Sequence, residues 1–419
     1  MTVSKRLLVL TPRFPYPVIG GDRLRIARIC RALSADFQVT LLSMCESREE
    51  LTYMPADGLF AEIHRVYLPR WRSYLNVALA LPGAKPLQLA YYHSREFRRK
   101  VDTLLPKHDL ALAHLVRTGQ YLDRRRLSGW PATPTILEMT DAISLNYERL
   151  QPLGGISAWK KLLYRVEQVR LDRYERETLS RFQRLWLTSM IDRDFLDSDH
   201  SQCIDVIPNG VDLQELRFRT PDQDGNVIVF IGNMTSSANQ DACHYFIREI
   251  LPGVRRSANV TFRIVGNAPD AVIRQFQHYD HVEMTGRLER ISDGVEGGFC
   301  GVCPTRAGAG IQNKVLEYLA LGLPCVTSTL GVGGIEAEPD KHLFVYRSPG
   351  ECVRQILALH ADPALRIAFA AAGRSLVASR YNWDRVYSAF RSAAQATMPE
   401  SSNRLADDVG MEAPDLVPA

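Results

Sequence analysis

Short unbroken apolar runs recur along the chain, with helix-length amphipathic segments between them. The first run, Arg6–Thr11, does not alternate, so a strand there would bury both faces, as in a parallel sheet. It ends in the Pro- and Gly-rich loop PRFPYPVIGGD, followed by the helical spacing Leu24, Ile26, Ala27, Ile29, Leu33 and a second run, Val39–Met44. This strand–loop–helix–strand order opens a doubly wound α/β sheet. Further strands are expected at Asp109–Leu115, Pro134–Asp141, Arg184–Met190 and Ile204–Asp212, with a long charged helix over 156–184. A second series follows at Val227–Asn233, Thr261–Asn267, His281–Arg287, Gly297–Thr305 and Pro324–Ser328. The segment IPNGVD lies between the two series as a hinge.

In doubly wound sheets the ligand crevice is built by loops at the carboxyl ends of the strands. Gly20 and Gly21 occupy such a loop, where glycine lets backbone N–H groups approach an anion at a helix N-terminus. Their spacing is not GxGxxG, which disfavours a dinucleotide site. The richest cassette is Pro304–Ser328, in which a glycine loop (Arg306–Gly310) opens a helix near Ile311. Arg306 and Lys314 are placed to reach a pyrophosphate there, and Glu317, three residues past Lys314, to accept bonds from ribose or sugar hydroxyls. Gly322 and Pro324 close the helix. Gly266 and the pair Gly286–Arg287 follow two further strands, and His114 ends Asp109–Leu115 as a base or hydroxyl-orienting group. Glu138 and Asp141 are weaker acidic candidates on the next strand. Cys300 and Cys303 form a CxxC without a second pair or nearby His, so GGFCGVCPT reads as a buried strand and no metal site is assigned.

The pieces FPYPVIGGDRLRIARICRAL, IPNGVD, FRIVGNAP, VEMTGR, AGAGIQNKVLEYLALGLPCV, GVGGIE and YNWDRV stand in the order found in the family 4 (group 1) retaining glycosyltransferases. The chain resembles that family over Leu7 to about Phe390, and looks closest to a subgroup associated with bacterial exopolysaccharide export. The resemblance implies a GT-B fold, two Rossmann-like domains facing each other across a cleft. The expected division is an acceptor-side domain, 1–208, and a donor-side domain, 209–380. A last helix, about 381–395, would pack back on the first domain, with a disordered tail at 396–419. The family moves a sugar from a nucleotide diphosphate, here a UDP- or GDP-sugar, without a required metal or cofactor. The implied donor contacts are Gly20, Gly21, Gly232, Gly266, Arg287, Gly308, Gly310, Ile311 and Glu317, with His114 beside the reacting sugar. Two departures stand out. The first of the family's two glutamates is Ala309, and the usual Arg–Lys pair after the first strand of the second domain is replaced by Asn233 and Met234. The charge on the leaving diphosphate is therefore assigned to Arg306 and Lys314.

Of the 51 cations and 47 carboxylates, 31 and 23 lie between Met1 and Pro208, a net of +8, against 20 and 24, a net of −4, in the rest. The total of +4 argues against a dedicated nucleic-acid binder. Cations between Arg65 and Lys100 surround Trp71, Tyr74, Tyr91 and Tyr92, a mixture suited to anionic lipid headgroups and a saccharide or lipid-linked acceptor. The expected location is cytoplasmic, at the inner face of the cell membrane. Two other classes share the pattern: a sugar-nucleotide epimerase of similar fold, and a non-catalytic module that binds a nucleotide sugar.

Overall fold

The unbroken runs fold as parallel strands in two separate sheets. The computed structural model describes residues 5–18, 20–123, 133–152, 157–197, 202–222 and 224–399. The first sheet holds β1 (Lys5–Thr11), β2 (Phe37–Cys45), β3 (Glu62–Tyr67), β4 (Leu110–His114), β5 (Thr135–Thr140), β6 (Arg184–Leu187) and β7 (Ile204–Val206), in the order β3-β2-β1-β4-β5-β6-β7. The second holds β8 (Val227–Ile231), β9 (Thr261–Val265), β10 (Val282–Gly286), β11 (Gly298–Cys303), β12 (Cys325–Ser328) and β13 (Phe344–Tyr346), in the order β10-β9-β8-β11-β12-β13. Every pairing is parallel.

The central strands bury both faces because both carry helices. β4 and β8 are buried at all five positions, which is why their sequences run apolar rather than alternate. Strands β3 and β13 were not expected. β3, EIHRVY, lies at a sheet edge with Val66 as its one buried residue, and β13 has three residues. The helix expected over 156–184 runs Ala158–Thr178, and residues 153–156 lie outside the described residues. Cys300 and Cys303 are buried within β11 as free thiols.

Strand order reverses between β1 and β4 in the first sheet, and between β8 and β11 in the second. A crevice therefore opens beyond the carboxyl ends of these strands in each domain, and the two crevices meet. The chain crosses between domains twice. The first crossing is Ile207–Asp212, after β7. The second precedes the helix Trp383–Thr397, which returns to the first domain. There Phe390 packs 5.4 Å from Trp186, and Arg391 clasps Asp36 through two bonds of 2.7 Å. This helix extends two residues past the 395 read from the sequence, and residues 400–419 of the expected tail lie outside the described residues.

The two crossings are strapped together, with Val211 N–H donating to the Tyr381 carbonyl at 2.7 Å. Gly210 sits against the Trp383 indole, where a Cβ would come within 2.7 Å of Cδ2. Gly210→Ala is expected to push Trp383 off the strap and cost about 1–3 kcal/mol, read as a lowered denaturant midpoint.

Candidate active site

A cavity of about 510 Å³ lies where the two crevices meet. The first domain lines it with Gly21, Asp22 and Arg25 on the helix Gly21–Leu33, and with Leu115, Arg117, Thr140 and Asp141 after β4 and β5. The second domain contributes Ile311 and Asn313, and the crossing contributes Asn209. The helix Asn313–Leu321 begins two residues later than the sequence suggests, at Asn313 with Gln312 as its cap. The first turns of two helices, one from each domain, thus face each other. A Cβ on Gly21 would lie 4.0 Å from Asn313 Nδ2. Each helix end carries free N–H groups and a partial positive charge, so their meeting point is suited to an anion.

Beneath the cavity floor lies a buried ionic cluster. Glu138 on β5 is 0% exposed; its Oε1 accepts from Arg25 Nε at 2.6 Å and its Oε2 faces His114 Nδ1 at 2.5 Å. Burial alone would raise this carboxyl. The Arg25 charge and His114 outweigh it and hold Glu138 down at about 2. An ionised carboxylate only accepts, so Nδ1 carries the His114 proton and Nε2 is the acceptor in the neutral ring. His114 is itself buried and does not form part of the cavity wall. Arg25 also donates to Asn209 Oδ1 at 2.7 Å and to the Ile207 carbonyl at 3.1 Å, and Asn209 Nδ2 donates to Asn313 Oδ1 at 2.8 Å. The cluster therefore runs from the first sheet through the crossing to the start of the helix Asn313–Leu321 in the second domain.

Leu115 and Thr140, just past and at the ends of β4 and β5, have φ of +62° and +67°. Side chains tolerate that region at about 1–3 kcal/mol each, and both residues line the cavity. Thr140 leads into Asp141, whose carboxyl is pushed up to about 7 by burial, with nearby Asp192 adding to the effect and Arg117 opposing it.

The glycine loop of the second domain is held from both sides. Arg149 donates to the Gly308 carbonyl at 2.6 Å, and Gly310 N–H donates to Asp192 Oδ2 at 3.0 Å. Asp192 Oδ1 also accepts the Ala142 N–H at 3.0 Å, next to Asp141. Gly308 and Gly310 have φ of +145° and +67°, and a Cβ on Gly310 would lie 3.0 Å from Thr188 Oγ1. Glycine is thus required where the loop meets the first domain.

Of the residues singled out in the sequence, Gly21 and Ile311 line the cavity and Gly20 caps the helix above it, while Gly308 and Gly310 lie in the loop before Ile311 and are not on the cavity wall. Glu317 is one turn beyond Asn313 on the same helix face. It is half-buried, and its carboxyl is raised by burial against the pull of Lys314. Gly232 and Gly266 pack backbone to backbone: a Cβ on Gly266 would lie 2.2 Å from the Gly232 carbonyl oxygen. Arg287 is exposed beyond β10, at the sheet edge.

The two cations assigned to a diphosphate are turned elsewhere. Arg306 makes a two-point ion pair with Asp241, with bonds of 3.0 and 2.5 Å, and stacks on Tyr245. Lys314 donates to Gln312 Oε1 at 3.1 Å and lies over Phe230. Neither is on the cavity wall, whose cations are Arg13, Arg25 and Arg117. The sequence reading did not single out Arg25, Arg117, Asn209 or Asn313, and it ranked Asp141 low. For Arg25, Asn209 and Asn313 the signal was present, since all three lie inside motifs that had been singled out.

Most of the chain superimposes on several solved structures. Sucrose-phosphate synthase from Thermosynechococcus elongatus aligns with a TM-score of 0.69 at 15% identity, over 94% of this chain and 99% of that one. Anabaena HepE in complex with UDP aligns at 0.63 with 14% identity, over 93% and 100%. The fold is GT-B. The lipopolysaccharide outer core galactosyltransferase WaaB also shares GT-B, at a TM-score of 0.57 and 12% identity over 94% and 100%. Residues 225–362, within the second GT-B domain, match the family model described as glycosyl transferases group 1. No curated protein matches the chain by sequence. HepE has also been solved with UDP-glucose.

Proposed function

We propose that the protein transfers a sugar from a nucleoside diphosphate sugar, UDP-linked in the first instance, to a hydroxyl of a saccharide or lipid-linked acceptor, with retention at the anomeric carbon. The observation that carries this reading is the meeting of two helix N-termini across one cavity, at Gly21 and Asn313. The match of residues 225–362 and the UDP-glucose held by a protein of like fold support the choice of donor.

In this reading the diphosphate lies between the two helix ends and Glu317 holds the ribose. The bond from the sugar C1 to the β-phosphate oxygen breaks, and its electron pair leaves with the diphosphate. The acceptor oxygen bonds to C1, and its proton passes to Asp141, whose value of about 7 suits a base at neutral pH. Leu115 and Thr140 hold the acceptor-side wall, and the strap of Arg149 and Asp192 onto the glycine loop excludes water while the sugar moves. A role in bacterial surface polysaccharide synthesis, at the cytoplasmic face of the membrane, accompanies this reading.

A thermal-shift screen across UDP-, GDP- and ADP-sugars identifies the donor, since a ligand bound only by the folded state raises apparent stability. Glu317→Ala is expected to weaken the preferred donor by at least about tenfold, the worth of one lost hydrogen bond to a charged group. Unchanged donor affinity in that variant removes Glu317 from the site, and release of the nucleotide diphosphate with the product anomer read by NMR decides transfer and retention.

A further inference from the structure

A second cavity, of about 420 Å³, lies in the first domain and shares no wall residue with the active-site cavity. Its size is in the range of small-molecule sites. One wall is a face of the helix Ala158–Thr178, where Arg170, Arg173, Tyr174 and Glu177 recur at helical spacing. Arg98, on the helix Arg95–Leu104, forms part of another wall.

The charges on these walls do not balance. Both carboxylates, Asp123 and Glu177, are taken by the buried Arg181: its Nη1 lies 3.2 Å from Asp123 Oδ2, and its Nη2 pairs with Glu177 Oε2. Two further arginines are fixed by neutral groups instead. Arg98 lies over the Tyr121 ring at 5.7 Å, and Arg170 Nη2 donates to the Leu81 carbonyl at 2.7 Å. Arg173 is exposed. Among the described residues, none of these three makes an ion pair. A guanidinium that is oriented but lacks a carboxylate is a ready receptor for phosphate oxygens. No large apolar side chain on the wall is exposed, so an acyl chain has nothing to lie along and the pocket suits a soluble ligand.

The pocket is joined to the active site by one side chain. Lys85 Nζ, on the pocket wall, donates to Gln120 Oε1 at 2.9 Å. Gln120 Nε2 donates in turn to the Leu89 and Arg117 carbonyls at 2.8 and 2.9 Å. Arg117 stands on the wall of the active-site cavity, where its Nε donates to Gln88 Oε1 at 2.9 Å. The short helix Leu87–Tyr91 gives Leu89 to the pocket and Gln88 to the cavity.

We propose that this pocket binds a soluble phosphate ester as an effector, with its phosphate on Arg98, Arg170 and Arg173 and its occupancy felt at the active-site cavity through Gln120. A bound phosphate draws the Lys85 ammonium toward itself and off Gln120. The carboxamide loses one of the partners that fix it, and the Arg117 turn that it holds is loosened. Only the word effector rests on the glycosyltransferase reading; binding to the pocket is tested apart from it.

The probe is glucose-6-phosphate, titrated by calorimetry into the full chain at low ionic strength. Wild type and Gly21→Val are expected to bind it alike. Arg170→Gln/Arg173→Gln is expected to bind it about tenfold more weakly, about threefold for each partly exposed charge removed. Arg173→Gln alone, at an exposed position that leaves the fold intact, should show about threefold. With the probe saturating, the preferred nucleotide sugar is expected to bind wild type about fivefold more weakly, at the low end of allosteric couplings. The double variant should not show that loss. Absence of glucose-6-phosphate binding, or equal affinity in wild type and both arginine variants, overturns the site. Unchanged donor affinity overturns the coupling, as does a weakening that persists in the double variant, which is competition at the active site. Phosphatidylglycerol vesicles bound by wild type and lost by the double variant, without glucose-6-phosphate binding, would assign the arginines to a lipid headgroup and overturn the proposal. Glucose-6-phosphate bound by a wild-type protein that binds no nucleotide sugar leaves the pocket standing and removes the glycosyltransferase reading instead.

Discussion

Replacing Arg25 with methionine is expected to lower the unfolding free energy by about 3–5 kcal/mol, the range for stripping one partner from a buried ion pair. Glu138 is fully buried, and it is ionised because Arg25 and His114 offset the desolvation. With Arg25 gone, that carboxylate is left with His114 alone. The loss also has a pH signature. The Glu138 carboxyl is lowered from 4.5 to about 2 in the folded chain, so the folded state binds fewer protons than the unfolded one between those values. The stability it contributes, about 3 kcal/mol, is complete above pH 4.5 and lost as pH falls toward 2. Urea midpoints of wild type and Arg25→Met should therefore differ widely at pH 7 and converge as the pH approaches 2. Because Arg25 also binds Ile207 and Asn209 in the crossing, the variant should lose donor affinity while still folded in the cold.

Asp141→Asn is expected to move activity and stability in opposite directions. As the base for the acceptor hydroxyl, its loss should slow transfer by about 10²–10⁴-fold and abolish the limb of the pH–rate profile near pH 7. The Asp141 carboxyl is raised from 3.8 to about 7 in the folded chain, by burial first and Asp192 second. The folded state there binds more protons than the unfolded one, so stability declines as pH rises from about 4 to 7 and stays lowered above it. Asparagine removes that cost. The variant should be more stable than wild type above pH 7 by about 2 kcal/mol, a figure discounted because Asp141 faces an open cavity. Urea denaturation at pH 5 and pH 8, alongside initial rates, checks both halves. A variant that is inactive and also destabilised at pH 8 would mark Asp141 as structural.

Much of the fold was legible because burial on both faces leaves a sequence trace. β1, β2, β4, β5, β8 and β11 are mainly apolar and do not alternate, and each was placed to within two or three residues. β3 was missed because an edge strand needs only one buried residue, and EIHRVY supplies little more than Val66. The cassette around Gly308–Glu317 was legible because a helix that must start at a glycine loop and stop at Gly322 is written in local residues. Gly322, with φ of +77°, ends that helix as expected. The ionic cluster was not legible. Arg25 and Glu138 are 113 residues apart, and neither residue's neighbours in sequence announce the partner. The same holds for Asp141, whose carboxyl is raised partly by Asp192 in the helix Met190–Leu196. Arg306 illustrates the converse case. Its place in the cassette suggested a ligand, but Asp241, 65 residues away, takes its guanidinium.

The central claim is that a nucleoside diphosphate sugar lies between the two helix N-termini at Gly21 and Asn313. A calorimetric titration of UDP-glucose, and of the GDP- and ADP-linked sugars, into wild type and Gly21→Val tests it most directly. The account predicts that wild type binds one of these donors with a Kd below about 1 mM, in the usual range for such enzymes. Gly21→Val, whose side chain would enter the gap facing Asn313, should bind at least tenfold more weakly while remaining folded. Failure of the folded wild type to bind any of the three, or equal affinity in both proteins, would contradict it.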